Sequence, residues 1–212
     1  MQFARYSRNF VIDVFTHFRT NLGRMIRETG LDLDRRGCVK MNDISCFEQY
    51  NRHRNILPIH SQQPVISSAA YVAPNATIVG DVFVAKDSYF GFGSVAQGID
   101  HAVRVGENTK IGDNTVLESV QWAPEEAFPL SLNIGNNVNI EHSCNIRSSI
   151  IDDNVHIGFR SVVMEGAQLE RGCVIAPNST VPAGSRIPEN TLWAGNPVRF
   201  VKNLEPVDQR IS

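Results

Sequence analysis

The chain of 212 residues has only four cysteines, Cys38, Cys46, Cys144 and Cys173, and no two of them form a CxxC pair. This excludes a zinc ribbon and argues against a disulfide framework, so the cysteines read as small hydrophobes in a reducing setting. Charge of one sign is also missing. Lys and Arg number 20 against 22 Asp and Glu, a formal net charge of −2. A nucleic-acid reader usually carries a strong basic excess, so no nucleic-acid partner is expected. No apolar run reaches the roughly 18–20 residues a membrane-spanning helix needs. What remains is enough chain for one sizeable core plus an extension.

The start of the chain differs from the rest. Arg5, Arg8, Arg19, Arg24, Arg27, Arg35 and Arg36 crowd into it, and Asp13 is the only acid before Glu28. Val11, Val14, Phe15, Phe18, Leu22, Met25 and Ile26 recur at helical spacing, which predicts an amphipathic helix with arginines beside its apolar stripe. Such a segment suits a mitochondrial presequence, a helix lying on a membrane surface or a partner, or a helix packed on its own domain.

The strongest signal is a repeat of period six. Ile66, Val72, Ile78, Val84 and Phe90 are evenly spaced; Ile99, Val105, Ile111 and Leu117 follow in a shifted phase. Ile134, Ile140 and Ile146 come next, then Ile151, Ile157, Val163, Leu169, Ile175, Val181 and Ile187. Four residues after most of these stands a compact side chain, such as Ser88, Ser94, Thr109, Thr115, Ser161 or Ser179. A sandwich would show period two with turns roughly every 8–12 residues. Period six predicts one short strand and one corner per hexad, three hexads to a triangular coil, and coils stacked about 4.8 Å apart. The expected fold is mainly β, a single-stranded parallel β-helix over 63–195. An N-terminal helical extension would cover 1–62, and a short closing helix or tail 196–212. Cys144 and Cys173 fall on compact positions and read as core.

Residues 119–132 fit no hexad, and Pro124 and Pro129 oppose regular structure there. They read as a loop inserted at one corner. Counting three hexads per turn across that loop puts Leu117 and Ile146 on the same face. Glu118 and Arg147, each one residue further on, then point outward from adjacent coils.

The residues quoted next carry a family resemblance. Gly80-Asp81, the Val-Gly-x-x-Thr-x-Ile pattern at 105–111, Asp113-Asn114, and the Ile-Gly-Asn-Asn-Val-x-Ile-x-His run at 134–142 resemble a γ-class carbonic anhydrase. So does the ending Leu192-Trp-Ala-Gly-Asn-Pro-Val-Arg-Phe200. Ile26-Arg-Glu-Thr-Gly30, Leu33-Asp-Arg-x-Gly-Cys38 and Arg52-His-Arg54 narrow the likeness to the γ-carbonic anhydrase-like subunits of mitochondrial respiratory complex I. The resemblance implies a left-handed coil and a trimer with other γ-carbonic anhydrase-like chains. It also implies contact with membrane-arm subunits of complex I on the matrix side of the mitochondrial inner membrane.

In that family zinc is held between subunits by three histidines, two stacked on one chain and one from its neighbour. The stacked pair falls on Glu118 and Arg147, the third on His142. The family's Arg and Asp of an Arg-Gly-Asp segment fall on Gln97 and Ile99, and an Asn and a Gln fall on Lys110 and Gly112. A catalytic zinc needs about three protein ligands and an open position for water. Arg147 has no acceptor lone pair and stays protonated, so this chain binds no zinc alone. An ion pair between Glu118 and Arg147 is expected instead, and no catalytic residue is assigned.

Three functions follow. The first is a non-catalytic, structural γ-carbonic anhydrase-like subunit of NADH:ubiquinone oxidoreductase. The second is a shared-site carbonic anhydrase, with His142 donated to zinc on a neighbouring chain. The third is a hexapeptide acyltransferase, because Ala-Gly-Asn-Pro occurs there too. His101 and His156 join no ligand cluster. Trp193 and Phe200 are expected to pack near the end of the coil, and Asp81, Asp113 and Asn114 to stabilise turns and subunit contacts.

Overall fold

Three parallel sheets, seven strands deep, wrap around one aliphatic column. The structure, a computed structural model, describes residues 2–41, 54–59, 62–121 and 129–204. The chain divides into two units, 1–52 and 53–212. In the first, a helix spans Gln2–Met41. Of the expected stripe, Leu22, Met25 and Ile26 are exposed; the side chains of Val11, Val14, Phe15 and Phe18 lie outside the described residues. No helix among the described residues is long and apolar enough to cross a membrane.

In the second unit the chain visits three faces in turn. The first face stacks Ile56–Leu57, 77–79, 95–97, Val116–Glu118, Asn145–Arg147, Val162–Val163 and Thr180–Val181. The second stacks Val65–Ile66, 82–84, 103–105, Leu132–Ile134, Ile150–Ile151, Gln168–Leu169 and Arg186–Ile187. The third stacks Tyr71–Val72, Tyr89–Phe90, Lys110–Ile111, Asn139–Ile140, His156–Ile157, Val174–Ile175 and Thr191–Ala194. Every one of these pairings is parallel, so the fold is a parallel β-helix.

The hexad residues fill the interior. Ile78, Phe90, Ile111, Leu117, Ile140, Ile146, Ile157 and Ile175 are all fully buried. Each fully buried aliphatic side chain contributes about 1.5–3 kcal/mol through removal from water, and stacking aligns them in one continuous core. The compact positions have a second role, which the hexad spacing did not reveal. Their hydroxyls tie coil to coil: Ser88 Oγ donates to the Gly106 carbonyl (2.7 Å), Thr109 Oγ1 to Gly135 (2.8 Å) and Thr115 Oγ1 to Glu141 (3.0 Å). Buried hydroxyls need partners, and the next coil supplies them. At the corners between second and third faces the chain turns through positive φ at Asn108 (51°), Asn137 (54°), Asn154 (59°) and Asn190 (51°). Asparagine enters this region more readily than most residues, which explains its recurrence.

Several expectations are corrected. The coil begins before residue 63, because Ile56–Leu57 already pairs with Ile78 and Val79. Ile99 is not a core hexad residue: it is 41% exposed, and Ala96, fully buried, takes the interior place in register with Ile78 and Leu117. Residues 99–102 bulge out at the corner between the first and second faces, so the spacing of six between Ile99 and Val105 is coincidental. The second insertion ends at 131, since Leu132 is a buried strand residue; Pro124 lies outside the described residues. In place of a closing helix, Arg199–Asn203 returns as an antiparallel strand against Thr191–Ala194. Trp193 meets Phe200 edge to face at 6.0 Å there.

Candidate functional site: an ion-paired column at the corner of the first face

Pairing on the first face fixes the site. Gln97, Glu118 and Arg147 are successive partners in register, one per coil, at the end of each strand. Inward residues alternate with outward ones along a strand, so burial of Ala96, Leu117 and Ile146 turns this column outward. The side chains meet as expected. Arg147 Nε donates to Glu118 Oε1 at 2.5 Å, and Arg147 Nη1 lies 2.6 Å from Glu165 Oε1. Glu165 was not anticipated. It sits on a corner rather than a strand, and only the fork of the guanidinium reaches both coils. The three side chains are 30% (Glu118), 37% (Arg147) and 17% (Glu165) exposed.

Chemically, the column does not fit a zinc ion. A metal ligand must present a lone pair, whereas Arg147 offers only donors and a fixed positive charge. Both carboxylates that could have turned toward a cation are engaged by that guanidinium. Of the other expected positions, Gln97 stays in the column, its backbone carbonyl accepting from Ser119 N (3.0 Å), and the rest are dispersed. Ile99 stands exposed in the bulge, and Lys110 points out from the third face, in register with Tyr89 and Asn139. At Gly112 a Cβ would lie 2.5 Å from the carbonyl carbon of Glu141 and the nitrogen of His142, so the next coil has closed over it.

His142 occupies the corner between the third and first faces, whereas Glu118 and Arg147 end the first face at its opposite edge. One chain therefore cannot bring them together. The His142 ring is exposed and stacks on Phe159 at 5.4 Å and 5°. Its ring nitrogens make no hydrogen bond among the described residues. His156, on the third face, lies between Asn139 Nδ2 (3.1 Å from Nδ1) and Glu141 Oε1 (3.5 Å from Nε2). His101 sits in the bulge, with its backbone N donating to Ser119 Oγ (3.3 Å). Asp81 holds Arg104 through two bonds of 2.7 and 3.2 Å, and Asp113 accepts from Phe92 N (2.7 Å), both tying coil to coil. Burial pushes the Cys144 thiol to about 11 and Cys173 to about 12, so both stay protonated near neutral pH.

Comparison with known proteins gives three kinds of likeness. The family pattern described as bacterial transferase hexapeptide (six repeats) matches residues 148–183. Among curated proteins, the chain is 33% identical over 184 residues to "Gamma carbonic anhydrase 1, mitochondrial" of Arabidopsis thaliana, covering 87% of this chain and 66% of that one. It is 34% identical over 184 residues to "Gamma carbonic anhydrase 3, mitochondrial" of the same plant, covering 87% and 71%. The chain thus spans 66% of the length of the first of these relatives. Among solved structures, one described as an acetyltransferase of Bacillus cereus superposes with a TM-score of 0.67 at 29% identity, covering 73% of this chain and 86% of that chain.

Proposed function

The chain belongs to the γ-carbonic anhydrase family, and from that membership we propose that it is a non-catalytic, structural member of a heterotrimer of such chains on mitochondrial complex I. The observation that carries the loss of catalysis is Arg147, clamped between Glu118 and Glu165 where the family stacks two zinc ligands. The ion pair joins adjacent coils at the positions where the family resemblance puts the stacked ligands. Opposite charges across neighbouring strands stabilise by about 0.2–1 kcal/mol per pair. The mitochondrial setting is supported by relatives named as mitochondrial and by the arginine-rich N-terminal helix. The complex I assignment rests on the Ile26–Gly30, Leu33–Cys38 and Arg52–Arg54 stretches, and places the chain on the matrix side of the inner membrane. The helix would then rest on the membrane surface or on a membrane-arm subunit.

A trimer follows from the family and suits the geometry. His142 at one edge of the first face and the Glu118–Arg147 column at the other are the two halves that a threefold arrangement sets against neighbouring chains. This favours a second reading, in which the unbonded His142 ring supplies one ligand to zinc on a neighbour that keeps both stacked histidines. Likeness to an acetyltransferase extends to the coil and carries no chemistry with it.

The test is native isolation. The tagged full chain, drawn from gently solubilised mitochondria, is expected to co-migrate with NADH:ubiquinone oxidoreductase activity on a native gel, together with two other chains of the family. Recovery as a free homotrimer with carbon dioxide hydration activity would overturn the assignment.

A further inference from the structure

A cavity of about 340 Å³ opens on the second face, where that face turns toward the third. Register sets its walls. Asn133 pairs with Ile150, and Ile134 with Ile151. Ile134 and Ile151 are buried in the coil, so Asn133 and Ile150 point outward side by side. Asp152, one step past Ile151, points outward as well. Gly135, its counterpart on the preceding coil, has no side chain to fill the space. Arg171 joins the lining from the corner of the following coil.

Some polar groups here are committed and others are open. Asp153 is committed: Oδ1 accepts from Asn136 N (2.7 Å) and Nδ2 (3.1 Å), and Oδ2 from Arg171 Nη2 (3.1 Å). That bond holds one corner of the guanidinium, whose Nε and Nη1 have no partner among the described residues. The Asp152 carboxylate has no hydrogen-bond or ion-pair partner among the described residues, and Arg171 pairs with Asp153 rather than with it. Asn133 Nδ2 is engaged by Ser131 Oγ (3.2 Å), which leaves Oδ1 as an acceptor. The cavity therefore offers acceptors for an ammonium, donors for a carboxylate and one aliphatic wall. Small-ligand sites begin at roughly 300 Å³ and orient their ligand with a few such groups. A phosphate would meet two carboxylates, and a metal ion would meet a fixed guanidinium. One coil spacing, about 4.8 Å, separates the level of Asp152 from that of Arg171. The two charges of the ligand must then lie close together, as they do in an α-amino acid.

We propose that this cavity binds a free aliphatic α-amino acid, its carboxylate on Arg171, its ammonium on Asp152 and Asn133 Oδ1, and its side chain against Ile150. None of these residues belongs to the Glu118–Arg147 column, so the site stands or falls independently of the structural role proposed above.

The experiment titrates the full chain, carrying labelled Ile methyl groups, with unlabelled L-leucine. The Ile150 methyl resonance should shift saturably, with intermolecular contacts to the leucine methyls. Two truncated probes separate the charges: 3-methylbutylamine lacks the carboxylate and 4-methylpentanoate lacks the ammonium. Each should bind about tenfold more weakly than leucine, the loss of one charge-assisted contact. Asp152→Asn should weaken leucine about tenfold without weakening 4-methylpentanoate, and Arg171→Gln should do the same without weakening 3-methylbutylamine. Both side chains are exposed, so both variants should fold. The amine binding as tightly as leucine would make this a plain cation site and overturn the proposal. So would an unaltered leucine affinity in either variant, or an Ile150 methyl that does not shift.

Discussion

Replacing Arg147 with glutamine would test the ion-paired column, and the size of the effect follows from the geometry. The substitution removes two ion pairs, to Glu118 at 2.5 Å and to Glu165 at 2.6 Å. Because Arg147 and Glu118 are about a third exposed, each pair is discounted to the surface range, about 0.5 kcal/mol. The two carboxylates then face each other without a cation. In a partly solvated setting this repulsion adds on the order of 1 kcal/mol. The sum is about 2 kcal/mol. For a chain of this size it lowers Tm by about 4–8 °C. The assay is thermal unfolding at fixed protein concentration, in low salt and near 1 M salt. The deficit should shrink in high salt, where the Debye length falls to about 3 Å. Adding Glu118→Gln to Arg147→Gln should restore about half of the loss, by removing the repulsion. An Arg147→Gln variant as stable as the parent, or a deficit indifferent to salt, would refute the reasoning.

Three other outcomes are expected. Gly112→Ala should cost about 1–3 kcal/mol in denaturant unfolding, because the added methyl meets backbone atoms of Glu141 and His142 at 2.5 Å and only separation of two coils relieves it. Cys144 and Cys173, with thiols raised to about 11 and about 12 by burial, should resist iodoacetamide at pH 8 in the native chain and react once it is unfolded, as read by mass spectrometry. Asp153 is held below the usual carboxylate range by the backbone N–H of Asn136 (2.7 Å) and then by Arg171. It therefore contributes stability above about pH 4 that is lost as pH falls through its depressed value, and Asp153→Asn should flatten that part of the acid unfolding curve.

The coil and its register were legible because period six constrains every hexad at once, and an error of one step would have turned the interior outward. That is why counting across an unread loop still set Glu118 beside Arg147. Ile99 misled for the same reason in reverse: a bulge of irregular length left one aliphatic residue six places before Val105 by chance. Glu165 was hidden because corner residues do not follow strand alternation. The returning strand Arg199–Asn203 was hidden because its five residues are all exposed and carry no pattern.

The most direct test of the central claim is the zinc content of the native assembly proposed for this chain, read by anomalous scattering at the zinc edge, with His142→Ala alongside. The account predicts no zinc at the Glu118–Arg147 corner and a trimer that survives removal of the imidazole. Zinc bound at that corner would contradict it. Zinc at a neighbouring chain's corner, lost with His142→Ala, would show instead that this chain completes a working site next door.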